Sequence, residues 1–313
     1  MALPTETRKF AAEQTSKLLR RLAFQINRGL KSRDAAAIHD LRVSIRRFTQ
    51  ALVVFKPCYR GKEMRKIRQR LKRIMIPAGE VRNHDIALKL ISKSPRGDAS
   101  ELRSKLQGRR KESERLLMSL LKRWTERRSS QKWRAELEAA LARPEQPAGS
   151  MAVEELARET LCRMAKDFFV RGNAAANPKA APEELHRFRI AAKKFRYSLE
   201  LLTPLYGATL MRWLERIKGV QTLLGDINDY ETVRQMVAPY KGGAEVVAWL
   251  KKRERKSMSE FRQYWSEEFG DRDRARSCLD YLRHPIARAK APKKPMARTA
   301  AASAASQAPQ AVA

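Results

Sequence analysis

Apolar residues recur along this chain at spacings of three and four, the repeat that places them on one side of an α-helix. The spacing predicts helices over about 5–31, a second ending at Pro57, then Gly61–Ile76, Asn83–Ser92 and a long one ending near Arg127. Lys132–Ala142, Met151–Arg171, Glu183–Leu202, Met211–Leu223, one from Asp229, Ala244–Phe269 and Asp273–Leu282 follow. Asp34 stands where an N-cap is needed, and Pro182 suits a first helical turn. Pro77 and Gly79 are read as a break, with Gly79 and Gly225 as C-caps and Asn83 and Asp229 as N-caps of the helices that follow. The fold class is therefore all-α.

The pattern is written twice. Ile38–Tyr59 (IHDLRVSIRRFTQALVVFKPCY) aligns without a gap on Leu185–Tyr206 (LHRFRIAAKKFRYSLELLTPLY), 147 positions later. IPAGEVRNHDIAL aligns on TLLGDINDYETV at an offset of 146, which also matches Arg70 with Arg216 and Lys72 with Lys218. ARPEQPAGS at 142–150 is the strongest linker signal. It divides the folded part, 1–283, into a first helical repeat at 5–143 and a second at 151–282. Residues 284–313 lose the apolar period and become rich in Ala, Pro and Lys, which reads as a disordered tail.

Each copy of the repeat carries two stripes. At about 100° per residue, Arg42, Arg46 and Gln50 all fall within about 60° of His39. Ile38, Leu41, Ile45, Phe48, Leu52 and Phe55 lie opposite. In the second copy the polar stripe is His186, Arg189, Lys193 and Tyr197, flanked by Lys194 and Arg196. On a single helix such a stripe ordinarily faces water. Here like charges recur at i,i+4, which mildly destabilises an isolated helix, and acids are nearly missing from both copies. The repetition points to an anion wanted on this stripe in both halves.

The whole composition agrees. Lys and Arg number 67 against 34 acids, a formal charge of +33, which calls for a polyanionic partner. Three scattered cysteines lack metal-ligand spacing and read as reduced thiols. MALPTETRKF is charged from the outset and no run is long enough to cross a bilayer, so a soluble, cytoplasmic protein without membrane contact is expected.

HDLRVSIRRF and AGEVRNHDIA, followed by HRFRIAAKKFRY and KGVQTLLGDIND, resemble the CHAD family, the conserved histidine α-helical domain. The resemblance covers roughly residues 5–282. It implies two pseudo-symmetric four-helix bundles with a basic channel between them that binds inorganic polyphosphate, and no catalysis by this domain alone; no cofactor or metal is expected, since no metal-ligand cluster occurs in the motifs. It further implies association with polyphosphate granules. By position it transfers polyphosphate contacts to His39, Arg42, Arg46, Arg47, His186, Arg189, Lys193, Lys194, Arg196 and Tyr197, with Arg70, Arg82, Arg216 and Lys218 following. Ile76-Pro77-Ala78 departs from the family's usual leucine-containing helix end. With pKa values nominally near 6.5, the two histidines are expected to tighten an anion complex in mild acid.

Two other readings stand beside it. A DNA- or RNA-binding protein suits the charge and the ARAKAPKKPMAR tail, yet no recognition motif is present and the basic stripes carry few stacking aromatics. A phosphohydrolase needs a tuned acid–base pair, and His39 has only Asp40 beside it in sequence.

Overall fold

A computed structural model describes residues 5–59, 61–95, 100–142, 151–240 and 242–286. Ten α-helices run in chain order among these residues, with no strand. The first five are α1 (Thr5–Ser32), α2 (Ala35–Val54), α3 (Gly61–Ile91), α4 (Ser100–Glu126) and α5 (Ser129–Ala142). The rest are α6 (Val153–Ala176), α7 (Pro182–Leu202), α8 (Thr209–Val237), α9 (Gly243–Phe269) and α10 (Arg272–Arg283). Most of the 142–150 linker and the tail from 287 lie outside the described residues.

The sequence signals explain the starts. Asp34 caps α2, accepting from the Ala37 amide at 2.6 Å. Pro182 opens α7, where the Glu184 carboxylate reaches back to the Ala181 amide at 2.9 Å. Both α2 and α7 end in a three-residue 3₁₀ turn holding a proline, Pro57 or Pro204, which cannot donate to a continuing helix.

The predicted break at Pro77–Gly79 does not occur. Gly61–Ile91 is one helix with Pro77 inside it, and Thr209–Val237 is one helix running through Gly225. Gly79 and Gly225 are therefore not C-caps, and Asn83 and Asp229 are not N-caps. An interior proline costs a helix about 3 kcal/mol. Ile67, Leu71, Ile74, Ala78, Val81 and Ile91 are all buried on α3. Each large apolar side chain so buried returns about 1.5–3 kcal/mol, so tertiary burial outweighs the local break.

α1, α2, α3 and α4 close a ring of neighbours, as do α6, α7, α8 and α9. α5 packs on α1, and α10 packs on α6. The two rings meet where α2 contacts α7 and α3 contacts α8. The main apolar core runs through both rings. A second cluster joins the far ends of α3 and α4 to those of α8 and α9 through Ile91, Leu102, Leu106, Val237, Val246 and Leu250.

Around Trp265 the second ring is packed with aromatics. Its ring stacks on Phe269 at 5.0 Å and meets Phe188 edge-on at 5.1 Å. Its indole N–H donates to Asn173 Oδ1 at 3.0 Å. Gly172 makes this possible, since a Cβ there would lie 1.9 Å from the Trp265 ring.

Candidate anion-binding site

The apolar stripe of α2 is fully committed to the core: Ile38, Leu41, Ile45, Phe48 and Leu52 are buried. That rotation turns the opposite stripe toward the junction with α7. At its inner end Gln50 is buried and its amide donates to Ser198 Oγ of α7 at 2.9 Å. The Ser198 hydroxyl in turn donates to the Lys194 carbonyl at 2.9 Å. The first of these bonds ties α2 to α7.

Next to it sits a group of cations drawn from three helices, with an acid from a fourth. Burial lowers the pKa of Arg42 to about 10, helped by Arg46, Arg82 of α3 and Arg189 of α7. Burial also lowers Arg189, opposed by Asp229 of α8 and reinforced by Arg46. Lys193 is pushed down to about 6 by burial, then by Arg189, Arg46 and Arg42, with Asp229 opposing. Asp229 itself is raised by burial against the pull of Arg189, Arg82 and Lys193. One carboxylate thus stands among four guanidinium groups, Arg42, Arg46, Arg82 and Arg189, and the Lys193 amine, which takes up its proton when an anion joins them. The buried Nε of Arg189 has no hydrogen-bond acceptor among the described residues.

The close approach of Arg42 to α3 depends on Gly79, where a Cβ would lie 2.7 Å from Arg42 Nη1. His39 stands at the solvent-facing end of the α2 stripe. Burial lowers its pKa, reinforced by Arg82, Arg46 and Arg42, while Asp40 opposes them. Asp40 is itself held by Arg28 of α1 at 2.6 Å.

A cavity of about 590 Å³ continues from this group between α2, α3 and α7. Arg46, Arg189, Lys193, Lys194 and Tyr197 line one side of it, and Arg65, Arg68 and Lys72 of α3 line the other.

The remaining sequence-derived residues are placed differently. Arg47 and Arg196 share Glu200, at 2.9 Å and 3.1 Å, so an incoming anion competes with that carboxylate for both. Arg196 also lies over the Tyr197 ring at 5.0 Å. Arg216 pairs with Glu268 at 2.9 Å and covers Trp213. Lys218 pairs with Glu215 at 3.3 Å. His186 is exposed one turn before Arg189, and Arg70 is exposed on α3, two positions from Lys72 and so on a different face.

Sequence reasoning missed Asp229 as the acid inside the cation group, having assigned it to a helix cap. It also passed over Arg65 and Arg68, although their spacing with Lys72 places all three on one face of α3. Among the described residues no set of three or more His, Cys, Asp or Glu is placed to hold a metal ion, and no helix is long and apolar enough to cross a membrane.

Comparison with known proteins bears on the fold. The structure is similar to the CHAD domain from the plant Ricinus communis, with a TM-score of 0.62, 21% identity, and coverage of 91% of this chain and 94% of that one. It is also similar to PptA from Streptomyces chartreusis, with a TM-score of 0.56, 16% identity, and coverage of 82% and 99%. No curated protein sequence matches the chain. The sequence model of the CHAD domain matches residues 12–238, and with that match across most of the folded part the chain belongs to the CHAD domain family.

Proposed function

We propose that this protein binds inorganic polyphosphate in the cleft where α2 and α7 meet, as a binding module rather than an enzyme. The observation that carries this reading is the concentration of Arg42, Arg46, Arg82, Arg189 and Lys193 around a single carboxylate, Asp229. Buried like charges are costly unless an anion joins them, and a flexible chain with one charge per phosphate suits forked guanidinium and point-charge ammonium donors alike. Family membership supports the same ligand class. The basic channel is the form this cleft takes with a chain threaded through it, and His39, Arg47, His186, Lys194 and Arg196 extend it outward. The carboxylate that acts on His39, Asp40, is engaged by Arg28, and the net effect of burial and neighbouring cations is to lower the His39 pKa, which favours binding over acid–base chemistry. Association with polyphosphate granules in the cytoplasm follows from this ligand.

The test is competition for labelled long-chain polyphosphate by DNA, ATP and pyrophosphate at about 150 mM salt, where weak exposed contacts are screened. Polyphosphate should outcompete DNA, and Arg46→Glu with Lys193→Glu should abolish binding while helix content is retained. Preference for DNA would overturn the reading in favour of a nucleic-acid-binding protein. Phosphate release that disappears in His186→Ala would overturn the non-enzymatic role.

A further inference from the structure

The cavity between α2, α3 and α7 is not built like a groove for a purely inorganic chain. Its base is apolar, formed by Ile45, Leu71, Met75 and Ile190. Ile190 is 39% exposed and Met75 is only partly buried, so these side chains present apolar surface to the cavity beside the cations. Its rim is cationic, with Arg65, Arg68 and Lys72 on α3 facing Arg189 and Lys193 on α7. Its lining holds no carboxylate.

The repeat shows that this composition is particular to one side. At the offset of 146, Met75 corresponds to Gln221 and Gln69 to Glu215. Gln221 is occupied in donating to the Ala192 carbonyl at 2.7 Å, and Glu215 pairs with Lys218. The second copy thus puts an amide and an acid where the first has a thioether and a neutral side chain. An inorganic polyanion gains nothing from Met75 or Ile190. A ligand with both a phosphate chain and an apolar group uses the base and the rim together, and about 590 Å³ is within the usual range for a small-molecule site.

We propose that this cavity binds organic di- or triphosphate esters, with the phosphates on Arg65, Arg68, Lys72 and Arg189 and the apolar group on Met75 and Ile190. The proposal rests on the anion-binding reading of the cleft for its phosphate contacts, and adds a second ligand class that the apolar base selects. A tenfold preference for an ester over its inorganic counterpart corresponds to about 1.4 kcal/mol. Burying about 55 Å² of apolar ligand surface is enough to supply it.

Calorimetric titration of the full chain at about 150 mM salt tests this with two matched pairs. One pair is ATP against inorganic tripolyphosphate; the other is geranyl diphosphate against pyrophosphate. At least one ester should bind about tenfold or more tightly than its inorganic partner, and the pair that shows it identifies a nucleoside or an isoprenoid group. Met75→Gln with Ile190→Ser should remove that preference and leave long-chain polyphosphate binding unchanged. Both positions face the cavity, and circular dichroism checks that the helices are kept. If both inorganic anions bind as tightly as their esters to the wild-type chain, the proposal is overturned whatever the variant does. If esters bind and long-chain polyphosphate does not, the function proposed above falls and this one stands.

Discussion

At Lys193, burial and three neighbouring guanidinium groups act in one direction, and only Asp229 opposes them. Its ammonium loses a proton near pH 6 in the folded protein, against an ordinary value of 10.5. The unfolded chain therefore binds the additional proton between those limits. Stability without an anion should rise as pH increases from about 6 toward 10, and the contribution is lost as pH falls to 6. Lys193→Met should flatten that rise in urea-unfolding midpoints measured across the range; an unchanged slope would show that Lys193 titrates normally. A bound polyanion reverses the balance by restoring the proton. Affinity should accordingly increase from pH 10 toward 6, while His39, whose pKa is lowered by burial and by Arg82, adds charge only in more acid solution than a free histidine would.

Gly79 gives a second test at this scale. Gly79→Ala should leave stability equal or raise it by up to about 1 kcal/mol, because alanine is the better helix former. The new Cβ would displace the Arg42 guanidinium, so polyphosphate affinity should drop several-fold. Gly225→Ala is the control, since a Cβ there meets nothing within 4 Å and affinity should not change. Equal effects from both variants would remove the proposed link between Gly79 and Arg42.

Among the elements, α2 and α7 are legible in the sequence almost completely. Their apolar stripes, caps and terminal prolines all agree, so local and tertiary preferences point the same way. α3 and α8 are different. Pro77, Gly79 and Gly225 carry the local signature of an ending, but the apolar positions on both sides of them share one face and one core. Only packing against α2, α4 and α8 shows that α3 continues. α6 likewise extends to Ala176, beyond the expected end near Arg171, because Gly172 is the contact point for Trp265 rather than a terminator. Gly172→Ala should destabilise the protein by about 1–3 kcal/mol through overpacking. Thermal unfolding monitored by tryptophan fluorescence will show it, and an unchanged midpoint would mean that Trp265 has room to shift.

For the whole molecule, a charge of +33 is spread widely, but the buried cations converge where the two rings meet. If five of them neutralise phosphates, log affinity should fall with log salt at a slope of roughly −3.5, taking the single-strand coefficient for counterion release. Titrations from 50 to 300 mM salt measure it. A slope near −1 would place polyphosphate on scattered surface charges instead. The sequence by itself determined the helical class, the repeated basic helices and their inward apolar stripes, because those depend on periods of three to four residues within one element. The tertiary structure alone decided that Asp229 enters the cation group, that Glu200 holds Arg47 and Arg196, and that Met75 and Ile190 form an apolar base beside the cleft. Those facts depend on which faces of α2, α3, α7 and α8 meet, and side chains far apart in the chain acquire a common burial and a common field only when the helices pack.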